Sequence, residues 1–240
     1  MSIHTSRLLR RTRVAHETLE CTVERPDGFS FRVGQYLDIT LPDPPYDDLL
    51  GPTRSFSIAS APGEHGLSLL MRLRGSAFKR AMAEMPLGST LLLDGPVDDL
   101  SLSVDDGRSA VFLAGGVGIA PFLGAIRHAS AHRDEMNVTL FYSNRRPEDA
   151  PYLDELAAHA VRVKGLRFIP TMTRMELSEL TWSGETTRIG LPMLERYLPS
   201  LHGPHYYLSG STLFISGVRQ ELAHAGIPGG DIRMEMYTGY

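Results

Sequence analysis

Residues 109–132 read "SAVFLAGGVGIAPFLGAIRHASAH". An apolar strand, "SAVFLAGG", runs into glycines and then into a helix, "APFLGAIRHASAH", and the alternation continues to the C-terminal end. Strands are expected in "NVTLFYSN", "LRFIPTMT", "HYYLSG" and "DIRMEMY", and helices in "APYLDELAAHA", "PMLERYL" and "TLFISGVRQELAHAG". Strand followed by helix, repeated, predicts βαβ units and a parallel sheet.

Toward the N-terminus the texture is different. Short apolar segments bounded by turns, "LECTVERPDG", "GQYLDITLP", "RSFSIASAP", "GLSLLMRLRG" and "STLLLDGP", predict an antiparallel β-barrel. One helix interrupts them, "SAFKRAMAEM", with Phe78, Met82 and Met85 on one face and Ser76 as N-cap. The change falls at "DDGR", residues 105–108, so the 240 residues read as two domains, 1–107 antiparallel β-barrel and 108–240 α/β parallel sheet.

Composition removes several functional classes. A net charge of −4 leaves no excess cation for phosphate neutralisation, which argues against nucleic acid as partner. No segment has the length and apolarity of a signal peptide or a membrane span, so a soluble cytoplasmic protein is expected. The single cysteine, Cys21, excludes an internal disulfide, a four-cysteine cluster and a cysteine zinc site. His128 and His132 stand four apart without a third ligand in the local sequence and read as a solvated helix face, so no metal is expected. The pairs Asp47-Asp48, Asp98-Asp99 and Asp105-Asp106 lie among Pro and Gly and read as turn caps. A GxSxG nucleophile elbow is absent.

Two stretches carry ligand chemistry. In the glycine turn, Gly115, Gly116 and Gly118 let bare backbone approach a pyrophosphate at a helix N-terminus, where N–H groups and the helix dipole favour anions. In "GPTRSFSIASAP", residues 51–62, a full positive charge, an aromatic and two serines share one strand, a pattern suited to a flat anionic group.

Taken in order, Arg54-x-x-Ser57, "GGVGIAP", "YLSGS" and "EMY" span nearly the whole chain and resemble the ferredoxin–NADP⁺ reductase family. The resemblance implies that Arg54 holds a flavin phosphate, that Phe56 lies against the flavin, and that Ser57 faces its N5, with Ser55 beside them. It places the flavin pyrophosphate at "MRLRGSAFKR", with Met71, Arg72, Gly75, Ser76 and Ala77, and favours FAD. In the second domain it assigns nucleotide binding to Gly115, Gly116, Gly118 and Pro121. Ser209 and Gly210 then fall beside the nicotinamide, Ser209 standing where the family usually has cysteine. Glu235 is set near the active site. Tyr237 covers the flavin, Tyr240 being the alternative.

The implied activity is hydride transfer from NAD(P)H to FAD, with Ser57, Ser209, Glu235 and Tyr237 as positioning and proton-handling groups. Electrons would pass to a separate small electron carrier, such as ferredoxin or flavodoxin, or to an oxygenase component. A redox-sensing module without turnover and a reductase of free flavin remain alternatives. Ser143 and Arg145 in "YSNRRPED" and Thr173-Arg174 in "TMTR" resemble a grip on a 2′-phosphate, so NADPH is expected over NADH, which stays possible because Glu176 lies close to Arg174.

Overall fold

The computed structural model describes residues 3–98, 100, 102 and 107–237, the last by its backbone only. It divides into two compact units, Met1–Ser101 with Ala120–His128, and Leu102–Ile119 with Ala129–Gly239.

In the first unit the strands are β1 (Ile3–Ala15), β2 (Thr18–Glu24), β3 (Gln35–Thr40), β4 (Thr53–Ser57), β5 (Gly66–Arg72) and β6 (Thr90–Asp98), with α1 (Ala77–Glu84) between β5 and β6. They form a six-stranded sheet in the order β4-β3-β6-β1-β2-β5, each neighbouring pair antiparallel. The arginine-rich β1 is not apparent from hydrophobic alternation, since only Ser6 and Leu8 are fully buried along it. It nonetheless joins the sheet's two halves. Ile3–Arg7 pairs with β6, Leu8–Ala15 pairs with β2, and register shifts at Leu8/Arg10 and Arg13/Ala15 bend the strand between these roles.

Inward side chains Leu8, Val23, Leu37, Ile39, Phe56, Leu69, Leu91 and Leu93 make the core, closed by Phe78 and Met82 of α1. Burying each of those two helix side chains contributes about 2–3 kcal/mol. This seats α1 against β4. Its N-cap is Ser76, whose Oγ accepts from the Lys79 N–H, as its spacing predicts.

From Ala110 the chain follows the expected alternation: β7 (Ala110–Gly115), α2 (Ala120–His132, most of which clusters with the first unit), β8 (Val138–Asn144), α3 (Leu153–Arg162), β9 (Leu166–Met172), α4 (Leu191–Tyr197), β10 (His205–Ser211), α5 (Thr212–His224) and β11 (Ile232–Tyr237). The five strands are parallel in the order β11-β10-β7-β8-β9. Val111, Leu113, Phe141, Tyr206 and Leu208 pack against Leu194 of α4 and Ile215, Val218 and Leu222 of α5. Sidedness of this kind requires helices over the sheet, which is why the strands read as near-continuous apolar runs. Among the described residues no helix is long and apolar enough to cross a membrane.

Candidate functional site

In the first unit the site is built where β4 meets the start of α1. The pleat of β4 turns Arg54 and Phe56 inward and Thr53 and Ser55 outward. Ser55 bonds the Asp38 carboxylate on the neighbouring strand, on the face away from Arg54. Ser57, the last residue of β4, is buried opposite Tyr36. Phe56, the aromatic expected against a flavin, packs in the core with its ring centroid 5.7 Å from that of Phe78. It takes that place because it shares Arg54's inward parity.

Arg54 is a buried cation, its side chain 5% exposed. Its Nη1 donates to the carbonyls of Leu50, Gly51 and Thr53 at 3.1, 2.7 and 2.7 Å, and its Nη2 to both carboxylate oxygens of Asp48 at 2.9 and 3.2 Å. The same carboxylate accepts from the Leu50 N–H at 3.0 Å and from the Ala77 N–H, at the start of α1, at 2.9 Å. Partial desolvation opposes ionisation of Asp48, but the Leu50 and Ala77 N–H groups and Arg54 outweigh it and hold its pKa below the ordinary 3.8. Lys79 lies in the same region. Burial, and then the charges of Arg54 and Arg74, lower its pKa. Arg54, a turn N–H and the N–H at the start of α1 thus converge on one carboxylate.

Asp48 was expected to be a turn cap, and it does cap the turn at Leu50. Its larger role, as counter-ion to Arg54 and α1, depends on bringing the 42–52 loop onto the helix, and local sequence does not encode that approach.

The other expected flavin residues divide. Gly75, at φ +50 with open space around it, and Ser76 stand at the start of α1. Met71 is a core side chain, and Arg72 reaches Glu17 at 4.0 Å.

In the second unit the glycine turn is a close-packed joint as well as a bare one. A Cβ on Gly115 would press the Phe214 ring at 2.9 Å, one on Gly210 would meet the same ring at 2.9 Å, and one on Gly118 would collide with the Ser209 carbonyl. Gly116 differs, with φ +57 and open space around it. Pro121 is buried in the first turn of α2. Ser209 stands in register with Ala114 of β7 and Glu235 of β11, so the three share one row across the strand ends. Its side chain is fully buried, and its Oγ has no hydrogen-bond partner among the described residues. Glu235 is 6% exposed. The Tyr237 backbone pairs with Ser211, while the Tyr237 side chain and Tyr240 lie outside the described residues.

The loops after β8 and β9 are zipped together. Thr173 N–H and Oγ1 donate to the Asn144 carbonyl at 2.9 and 3.1 Å, and Arg174 N–H donates to the Arg145 carbonyl at 2.8 Å. This places Arg145 and Arg174, both exposed, on adjacent segments close to the partly buried Ser143. Arg146 is instead committed to Asp149 at 2.8 Å, and Arg174 has only a 3.9 Å approach to Glu176.

Asp134 lies beside His128 and His132, Arg133 at φ +58 turning the chain back between them, and the potential ligand atoms of the three lie within 4.8 Å of one another. Both His132 and Asp134 are exposed. Of the acidic pairs, Asp98 receives Arg32 and Gln35, whereas Asp99, Asp105 and Asp106 lie outside the described residues.

Residues 112–220 match the family model described as an oxidoreductase NAD-binding domain. The reductase component 2 of terephthalate 1,2-dioxygenase from Comamonas is 26% identical over 211 residues, 87% of this chain and 60% of that protein. The xylene/toluene monooxygenase electron transfer component of Pseudomonas putida is 28% identical over 232 residues, 94% of this chain and 63% of that protein. The chain therefore spans less than two thirds of either relative. A crystal structure of a ferredoxin NADP⁺ reductase from Neisseria gonorrhoeae, with FAD and NADP bound, superposes with a TM-score of 0.79 at 22% identity, covering 99% of both chains.

An antiparallel sheet unit followed by a parallel-sheet NAD-binding domain defines a two-domain oxidoreductase fold. Residues 112–220 thus carry an oxidoreductase NAD-binding domain, and the fold of the chain is that of the Neisseria ferredoxin NADP⁺ reductase.

Proposed function

We propose that the chain is a flavin-dependent NAD(P)H reductase that takes hydride from NAD(P)H onto FAD and hands the electrons to a separate acceptor. The carrying observation is the convergence of Arg54 and the α1 N-terminus on one carboxylate. A donor set that holds one oxyanion with a guanidinium and a backbone N–H has the chemistry that a flavin phosphate requires. The second supporting feature is the buried row of Ser209 and Glu235 beside the glycine turn, where a hydroxyl without a hydrogen-bond partner among the described residues suits an amide-bearing ring such as nicotinamide.

On this reading residues 1–107 are the FAD-binding domain and 108–240 the NAD(P)-binding domain. Bound flavin supplies the exchange between two-electron hydride chemistry and single-electron release. Arg54 and the Ala77 N–H bind phosphate. Ser57 would offer a buried hydroxyl to the flavin, and Ser209 and Glu235 would position the nicotinamide and help supply the proton that the reduced flavin takes up. Arg145, Ser143, Thr173 and Arg174 receive the 2′-phosphate, which favours NADPH. The relatives' roles as reductase components suggest an oxygenase component or a ferredoxin-type carrier as acceptor, and a cytoplasmic location belongs to the same reading.

Anaerobic titration tests this. The purified protein should hold one FAD through desalting, and NADPH should bleach its absorbance near the flavin maximum. A colourless protein that takes up no FAD overturns the reading. FAD that is held but not bleached by either nucleotide leaves a binding module in its place.

A further inference from the structure

Arg54 cannot stay buried without a counter-charge, and the structure supplies it from the chain itself. The Asp48 carboxylate takes the Arg54 Nη2 and the Ala77 N–H at the start of α1, the donors that the flavin phosphate is expected to use. Two anions cannot accept the same N–H groups and would repel each other at that distance.

The segment carrying Asp48 is held to α1 a second time. Tyr46 bonds the Glu84 carboxylate, and the Arg80 guanidinium lies 3.9 Å from the Tyr46 ring centroid. Between these two fastenings and β4 the loop turns outward, with Leu49 fully exposed and Leu50 half-exposed.

We infer that Asp48 is a built-in occupant of the flavin phosphate subsite, and that loading of the cofactor requires its carboxylate to leave Arg54 and the α1 N-terminus. The inference rests on the flavin reading given under Proposed function. Binding then selects the form in which the carboxylate has left, so the apparent affinity for FAD is reduced by that form's population. The same contact stabilises the flavin-free protein.

The test compares apoprotein of the parent with Asp48→Asn, which keeps the side-chain shape and loses the charge, and with the shorter Asp48→Ser. FAD affinity is read by quenching of flavin fluorescence and apoprotein stability by thermal unfolding. Both variants should bind FAD about three- to tenfold more tightly, the lower range for one charge-assisted contact partly screened by solvent. Both apoproteins should unfold at lower temperature than the parent. A carboxylate that merely buttresses Arg54 predicts the opposite pairing, with weaker FAD binding alongside lower stability. That result, or unchanged affinity in both variants, overturns the inference. Failure of the folded parent itself to bind FAD would instead sink the flavin reading.

Discussion

A side chain at position 118 and the carbonyl of Ser209 exclude one another: a Cβ built on Gly118 lies 2.7 Å from the Gly210 Cα and collides with the Ser209 carbonyl. The atoms in the way are backbone, which cannot rotate aside. Gly118→Ala should therefore destabilise the protein by about 1–3 kcal/mol through overpacking, visible as a lower melting temperature without any ligand. A Gly118→Ala protein that melts like the parent and loses only nucleotide binding would assign this glycine to ligand approach alone.

Arg54→Ala should weaken FAD binding by about 1.5–3 kcal/mol, whereas Arg72→Ala, whose side chain reaches toward Glu17, should change it much less. Equilibrium dialysis of the two apoproteins checks the ranking. Equal effects would move the phosphate contact away from Arg54.

Ser209→Ala removes a buried hydroxyl that has no hydrogen-bond partner among the described residues. Stability should hold or rise by up to about 1 kcal/mol, while flavin reduction by NADPH slows in single-turnover kinetics. A fall in melting temperature would mean that the hydroxyl has a structural bond.

NADPH should be preferred over NADH in kcat/KM, and Arg174→Ala should shrink that preference about three- to tenfold, a modest figure because the guanidinium is more than half exposed. Arg146→Ala, already paired with Asp149, should leave the ratio near the parent value. A parent preference for NADH would refute the assignment.

Cys21 should resist thiol reagents at pH 8 in the folded state. Burial, against a smaller opposing effect of Arg11, pushes its pKa up to about 12 from an ordinary 9.0, leaving on the order of one thiolate in ten thousand. The sign for stability follows. The folded state retains a proton that the unfolded chain gives up, so this group's contribution is complete below pH 9 and is lost as pH rises toward 12. Rapid labelling with Ellman's reagent under native conditions would contradict the burial.

Periodicity alone determined both architectures and their order, because the apolar runs from Ala110 to Tyr237 and the turn-bounded strands before them each satisfy one geometry. Local chemistry also located α1's N-cap at Ser76 and the glycine turn at 115–118, since capping and backbone freedom act within a few residues. It could not show β1, whose arginines obscure a strand that is held by pairing on both sides. Nor could it show which way Phe56 faces, since alternation states that neighbours differ and only packing chooses the side. The decisive tertiary facts are contacts between segments distant along the chain: Gly118 against Ser209, and Asp48 against both Arg54 and Ala77. Such contacts depend on how sheets and helices stack. A burial-driven fold therefore decided that a residue read as a turn cap would be the counter-ion of the site's buried arginine.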